Sequence, residues 1–146
     1  MLVHIVTSQF DPLVELDQYQ RASVSGSLSF GATAIFIGTM RDFNDGESVD
    51  RMVLEHYPGM TERQLEAILV QAAARWPILD ALVIHRVGEI FPGDPIVLVV
   101  VWAAHRGAAF DACRAVVEEL KTRAPFWKKE TLPKGDRWVE ANTSGY

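Results

Sequence analysis

The 146-residue chain has the composition of one ordinary globular domain, with 49% hydrophobic and 23% charged residues. Its net charge of −5 argues against general binding to nucleic acid or to a membrane surface, because both need a positive field. The single cysteine, Cys113, excludes an internal disulfide and a cysteine-based zinc site.

Three strands are predicted in the first part of the chain, at residues 2–7, 32–40 and 51–57. These segments are rich in β-branched residues or alternate apolar with polar side chains. The loose segment between the first two strands ends in SVSGSLSFG, where Ser and Gly predict a loop. The polar stretch 41–48 is predicted to be a mobile loop, because the Asn, Asp and Gly at its centre favour turns.

Two helices are predicted, each with an apolar stripe and a proline stop. The first helix starts at Thr61, which forms a capping-box signature with Gln64, and Pro77 ends it. The second helix spans about 107–122 and ends before Pro125. Its predicted core face consists of Phe110, Cys113, Val117 and Leu120.

The remaining strands are predicted at 81–90, 96–104 and 137–141, and the turn FPGDP joins the first two of them. The order β-β-β-α-β-β-α-β favours a single α+β domain, with a mostly antiparallel sheet and two main helices. The longest apolar run, 96–104, is shorter than the ~20 residues that a membrane helix needs. The N-terminal run has no basic leader, so a soluble cytoplasmic protein is expected.

Positive charges gather in KTRAPFWKKE, residues 121–130, although the chain is acidic overall. They flank the aromatic pair Phe126 and Trp127. A flat heterocyclic ligand with a phosphate could stack on such a pair while the cations hold its charge. The same aromatic side chains could equally belong to the core, and Lys129 is better explained as a solvated side chain.

Other cations follow the ends of predicted elements. Arg41 follows a strand, and His105 and Arg106 open the second helix, where free N–H groups and the helix dipole favour an anion. Lys121 lies in the last turn of that helix, and Lys128 follows the helix break. Each of these residues also has a structural explanation. A lysine in the last helical turn, such as Lys121, complements the helix dipole. Arg41 could be an ordinary loop residue, His105 could be hydrogen-bonded to the backbone, and Lys128 could be solvated.

Five blocks occur in the order and spacing of a known family: LEHYPGMTE (54–62), IHRVGEIFPGD (84–94), AAHRGAAF (103–110), LKTRAPFWKKE (120–130) and GDRWVEA (135–141). On these blocks the chain resembles the large, catalytic subunit of molybdopterin synthase. The block LKTRAPFWK is the most specific of the five. The resemblance starts near residue 30, and Thr39 stands where the family often has a basic residue.

The resemblance implies a sulfurtransferase of molybdenum cofactor biosynthesis. The family converts cyclic pyranopterin monophosphate into molybdopterin by adding two sulfurs as a dithiolene. The sulfur arrives as a thiocarboxylate on the C-terminal Gly-Gly of a small ubiquitin-like partner subunit. The resemblance also implies one domain of the α/β-hammerhead type over residues 1–146, and a homodimer of large subunits at the centre of a heterotetramer. It implies no cofactor, metal, nucleic acid or membrane partner.

The same resemblance implies the residues of the site. Lys121 and Lys128 match catalytic positions, as nucleophile or as proton donor and acceptor, since a partly buried lysine beside other cations has a lowered pKa. The substrate-binding residues implied are Thr39, Met40, Arg41, His105, Arg106, Lys121, Lys128, Lys129 and Glu130. Cys113 is interpreted as a buried structural thiol, because the sulfur comes from the partner.

Two other functions remain open from the residues alone. One is a non-catalytic module that senses a phosphorylated ligand, which would bind without turnover and without the thiocarboxylated partner. The other is a small single-stranded RNA binder that stacks bases on Phe126 and Trp127. The sequence pI of about 5.3 weakens the RNA-binding alternative.

Overall fold

The computed structural model describes residues 1–24, 26 and 29–140, and it has an α+β fold as predicted. Its helices are α1 (Pro12–Tyr19), which continues as a π-helical turn (Gln20–Val24), α2 (Met60–Arg75) and α3 (Arg106–Arg123). Its strands are β1 (Leu2–Val6), β2 (Ala32–Thr39), β3 (Phe43–Asn44), β4 (Glu47–Ser48), β5 (Arg51–His56), β6 (Ile78–Arg86), β7 (Gly88–Ile90), β8 (Pro95–Ala103), β9 (Phe126–Leu132) and β10 (Gly135–Val139). Within the described ranges, no helix combines the length and apolar character needed to cross a membrane.

The first sheet has the strand order β1-β6-β8-β2, and only its β1–β6 pair is parallel. Helices cover both of its faces, with α2 and α3 on one face and α1 on the other. Strand β8 is an unbroken apolar run because side chains on both of its faces are buried. Val99 and Val101 pack towards α2 and α3, whereas Val100 and Trp102 pack towards the α1 side. Full burial of each such side chain stabilises the fold by about 1.5–3 kcal/mol.

The second sheet has the order β10-β9-β5-β7, and each pair of neighbouring strands in it is antiparallel. A third hydrophobic cluster, built on Met40, Met52, Leu54 and Ile90, lies under this sheet. Phe126 packs against both this cluster and the cluster beneath α2 and α3. The two sheets are therefore joined where strand β9 begins.

Three local elements differ from the sequence prediction. The loose segment after β1 contains α1, which Asp11 caps by accepting hydrogen bonds from the N–H groups of Leu13 and Val14. The predicted mobile loop 41–48 instead forms the hairpin β3–β4, whose turn residues Asp45 and Gly46 have φ of 51° and 80°. Strand β9 was not predicted, because charged side chains occupy both of its faces. The sequence therefore lacks the regular apolar–polar alternation that indicates a strand with one buried face.

The predicted start of α2 was also wrong. Gly59 is the N-cap residue, and its N–H donates to the Glu62 carboxylate at 2.6 Å, which is the back-bond of a capping box. The Thr61 hydroxyl instead accepts from the N–H of Tyr57 and donates to the carbonyl of Pro125. That pair of bonds ties the start of α2 to the α3–β9 junction.

Two further details of the prediction need correction. Phe110 was placed on the core face of α3, but its side chain is 66% exposed. The last strand is β10 rather than 137–141, and residue 141 lies outside the described residues. Part of the predicted loop SVSGSLSFG also lies outside them.

Candidate functional site

A cavity of about 320 Å³ opens between the two sheets, where the end of β2, the end of α3 and the start of β9 meet. Apolar side chains from the third hydrophobic cluster form much of its wall, and cations and one carboxylate enter from the sides. Its lining residues most relevant to chemistry are Arg41, Asn44, His85, Lys121, Lys128 and Glu130. The cavity therefore combines an apolar wall with several convergent polar groups, which is typical of a small-molecule site.

Six of the residues implied by the resemblance line this cavity: Thr39, Met40, Arg41, Lys121, Lys128 and Glu130. The end of α3 explains how two lysines seven positions apart meet. Pro125 lies directly after the helix, and the chain reverses into strand β9, so Lys121 comes from the last helical turn and Lys128 from the strand. Alternation along β9 then directs Phe126, Lys128 and Glu130 to the same face.

The other three implied residues lie elsewhere. Lys129 is on the opposite face of β9, where its Nζ lies 3.1 Å from Asp136 and 6.0 Å from the ring centroid of Trp138. His105 is the N-cap residue of α3 and Arg106 is its first residue, and both are exposed. About 16 residues separate His105 from Lys121, which is roughly 24 Å along the helix axis.

Burial shapes the charge state of one cavity lysine, Lys128. Desolvation lowers the pKa of Lys128, the neighbouring Lys121 lowers it further, and Glu130 opposes both. A larger fraction of the Lys128 side chain is therefore the neutral amine near pH 7 than for a lysine in water. Among the described residues, no group of three or more His, Cys, Asp or Glu side chains is placed to hold a metal ion.

The buried carboxylate of Glu130 is held in place by two partners. Asn44 donates to one oxygen at 2.7 Å, and Arg137 donates to the other from Nε at 2.9 Å. Arg137 also donates to Glu47 at 2.9 Å and to the Asn44 carbonyl at 3.1 Å. Arg137 therefore fastens the hairpin β3–β4 to β9 and β10 and holds Glu130, which lines the cavity.

Sequence reasoning missed three residues that shape the site: Asn44, His85 and Arg137. His85 lies in an ordinary strand pattern, so periodicity gave no sign that its side chain reaches a cavity. Asn44 and Arg137 were assigned to a loop and a strand without a role, because the contact between them joins segments about 90 residues apart. The aromatic pair also separates, since Phe126 lines the cavity and Trp127 is 47% exposed on the other face.

Removing the Arg137 guanidinium is expected to destabilise the fold measurably. Arg137→Met leaves the buried Glu130 carboxylate with one of its two partners, and we expect a loss of about 1–3 kcal/mol in the free energy of unfolding. The matched control is Arg51→Met, which breaks an exposed pair with Glu89 and should cost about 0–1 kcal/mol. Urea unfolding of both variants measures the difference, and equal losses would contradict a special role for Arg137.

The family model described as MoaE protein matches residues 9–123. The molybdopterin synthase catalytic subunit of Pseudomonas aeruginosa is 49% identical over 144 residues, covering 99% of this chain and 93% of that protein. The solved molybdopterin biosynthesis MoaE protein from Burkholderia ambifaria is 45% identical, with a TM-score of 0.79 over 99% of this chain and 92% of that chain.

A third comparison concerns an assembly. The solved protein–protein complex of subunits 1 and 2 of the molybdopterin-converting factor from Helicobacter pylori contains a similar chain. The TM-score is 0.79, and the match covers 97% of this chain and 92% of that chain. At 19% identity, this likeness shows the fold alone.

Proposed function

Because the chain belongs to the MoaE family, whose relatives include molybdopterin synthase catalytic subunits, we propose that its basic cavity is where a phosphorylated pterin receives sulfur. Membership makes the chain an enzyme of molybdenum cofactor biosynthesis, which sets aside a sensor or an RNA binder. The proposed substrate is cyclic pyranopterin monophosphate, and the product carries two new sulfurs as a dithiolene. The observation that carries the proposal is the convergence of Lys121, Lys128 and Arg41 on one cavity.

The cavity offers chemistry suited to that reaction. Arg41 and Lys121 supply positive charge for a phosphate or for an oxyanion that forms during acyl transfer. The lowered pKa of Lys128 increases the fraction of its amine that is neutral and able to act as a nucleophile or a proton acceptor. The apolar part of the wall lowers the local dielectric constant, which strengthens these electrostatic interactions.

We propose that the sulfur donor is a small ubiquitin-like partner subunit, and the Helicobacter pylori complex of two subunits is the precedent for a two-protein assembly. The C-terminal Gly-Gly tail of such a partner could enter a narrow channel, because glycine has no side chain to clash. Its terminal thiocarboxylate is anionic, so the same cations would hold it beside the pterin. Glu130, fixed by its two hydrogen bonds, would orient the pterin ring by accepting from its N–H groups.

Reconstitution tests this function directly. The protein is incubated with the pterin precursor and with a thiocarboxylated small subunit, and dithiolene product is measured. We expect product with the intact partner and none when the last two residues of the partner are deleted, because the sulfur-bearing tail would then not reach the cavity. Equal product with the intact and the truncated partner would rule out delivery by the tail.

Cys113 is expected to be dispensable for activity. It lies buried in the core with its Sγ 4.0 Å from the Val99 carbonyl, and burial raises the pKa of its thiol to about 11. Cys113→Ser should keep full product formation and lose only modest stability. The raised pKa stabilises the wild-type fold below pH 9, and this contribution is lost as pH rises towards 11. A folded but inactive Cys113→Ser protein would show that the sulfur passes through this thiol.

We also propose that two copies of the chain share each site. The resemblance assigns His105 and Arg106 to the pocket, yet they lie at the opposite end of α3 from Lys121. Both are exposed, and so is Phe110 one turn along the same helix. A two-fold axis that brings this end of α3 to the cavity of a second copy would complete two equivalent sites. The heterotetramer and the cytoplasmic location stay predictions.

A further inference from the structure

His85 is a buried histidine in the wall of the cavity that the proposed chemistry does not use. It lies on β6, 5% exposed, and its imidazole faces the same cavity as Lys128. The ring stacks on Phe126, with centroids 4.0 Å apart and planes 18° apart. Phe126 and Lys128 lie two residues apart on the same face of β9, so the stack sets the position of the strand that carries Lys128.

One hydrogen bond determines the tautomer of this imidazole. The Nδ1 atom of His85 lies 2.9 Å from the backbone carbonyl oxygen of Arg86. A carbonyl oxygen only accepts, so Nδ1 carries the hydrogen and donates it. In the neutral ring the lone pair is therefore on Nε2.

The surroundings keep this ring neutral. The pKa of His85 is lowered to about 4, chiefly by burial and in smaller part by the charges of Lys128 and His56, while the hydrogen bond to the Arg86 carbonyl opposes this shift. The other ionisable groups that line the cavity are Arg41, Lys121 and Glu130. With Lys128, the cavity thus contains three cationic side chains and one carboxylate, and that carboxylate is already hydrogen-bonded to Arg137. The excess of positive charge disfavours a protonated, positively charged His85 ring.

We infer that His85 is a positioning residue for Lys128, whose amino group donates a hydrogen bond to the Nε2 lone pair from across the cavity. A lysine side chain has a flexible four-carbon stem, so the direction of its amine depends on the groups that line the cavity around it. An acceptor fixed by the Arg86 carbonyl and by the Phe126 ring restricts the amine to one direction. The amine lone pair is then presented to substrate in a constant geometry.

The first test is independent of turnover, whereas the second rests on the proposed function. Nitrogen-15 NMR of the imidazoles should show His85 as the neutral Nδ1–H tautomer from pH 6 to pH 8. Its Nε2 resonance should move in Lys128→Met and stay in place in Lys129→Met, which changes the lysine on the outer face of the same strand. The Nε2–H tautomer, or an Nε2 resonance that is unchanged in Lys128→Met, would overturn the inference.

The second test uses turnover by the reconstituted enzyme. His85→Phe keeps a ring that can stack on Phe126 but removes the acceptor, so we expect kcat to fall by about 10²-fold while KM for the pterin precursor changes little. The limb of the pH–rate profile that reports Lys128 should move to lower pH, because the ammonium loses its acceptor. His85→Gln, which restores an acceptor, should recover part of kcat.

The control is His4→Phe, a change at an exposed histidine on β1, and it should keep the wild-type rate and profile. If wild-type protein forms product while folded His85→Phe keeps its kcat and its pH profile, the positioning role is wrong. If wild-type protein forms no product, the proposed function fails and the NMR test still decides the role of His85. If His85→Phe does not fold, the kinetics of His85→Gln and the NMR spectrum of the wild-type protein decide whether His85 positions Lys128.

Discussion

Lys128→Ala is expected to reduce product formation by ~10²–10⁴-fold, and Lys121→Ala should have an effect of similar size. Lys128 is the cavity amine whose pKa is lowered by burial and by Lys121, so its loss removes the group best suited to accept a proton or to act as a nucleophile at carbon. Loss of Lys121 removes a charge that lowers the pKa of Lys128 and that, in the proposed function, holds the substrate anion. Single-turnover assays with the thiocarboxylated partner measure the chemical step.

Lys129→Ala provides the matched comparison. The resemblance assigns Lys129 to substrate binding, but in the structure it pairs with Asp136 on the outer face of β9. We therefore expect Lys129→Ala to keep nearly the wild-type rate. Circular dichroism and urea unfolding should show all three variants folded. Near-normal turnover in folded Lys121→Ala and Lys128→Ala would refute the assignment of both lysines, and a large loss in Lys129→Ala would favour the resemblance over the geometry.

Mixing two inactive variants is expected to restore activity. In the shared-site proposal, the double variant His105→Ala, Arg106→Ala lacks the residues that one copy lends, and Lys121→Ala lacks a residue that the other copy keeps. A mixed dimer then contains one site with both defects and one site with none. At full exchange of equal amounts, about half of the dimers are mixed and each has one intact site of two, so roughly a quarter of the wild-type rate should return.

The complementation needs proof that subunits exchange. Differently tagged variants should co-purify after mixing, and mixing each variant with itself is the control that should stay inactive. Exchange without any recovery would show that each site lies within one copy. A wild-type protein that is monomeric by analytical ultracentrifugation and fully active would also exclude the shared site. Lys128→Ala mixed with Lys121→Ala should not recover, because both residues belong to the same copy.

Local sequence patterns were sufficient to predict the helices and strands in which apolar residues recur at a regular spacing along the buried face. The apolar run of β8 and the stripe from Leu65 to Trp76 in α2 predicted their elements because burial imposes that spacing. They were not sufficient for α1, which has only eight residues, or for β9, where Lys128 and Glu130 occupy the cavity-facing positions. Functional residues on a buried face break the apolar alternation, so the pattern fails at the site itself.

The sequence by itself determined the α+β class, the family and most of the cations that carry the proposed chemistry, because periodicity and the block LKTRAPFWK are properties of neighbouring residues. Only the tertiary structure decided which of those cations meet. Lys128 and Lys129 are adjacent and chemically identical, but successive side chains of a strand point to opposite faces. Lys128 therefore lines the cavity, whereas Lys129 pairs with Asp136 on the other face of β9. His85 and Arg137 reach the site from other strands, since packing, unlike sequence order, is free to bring distant segments together.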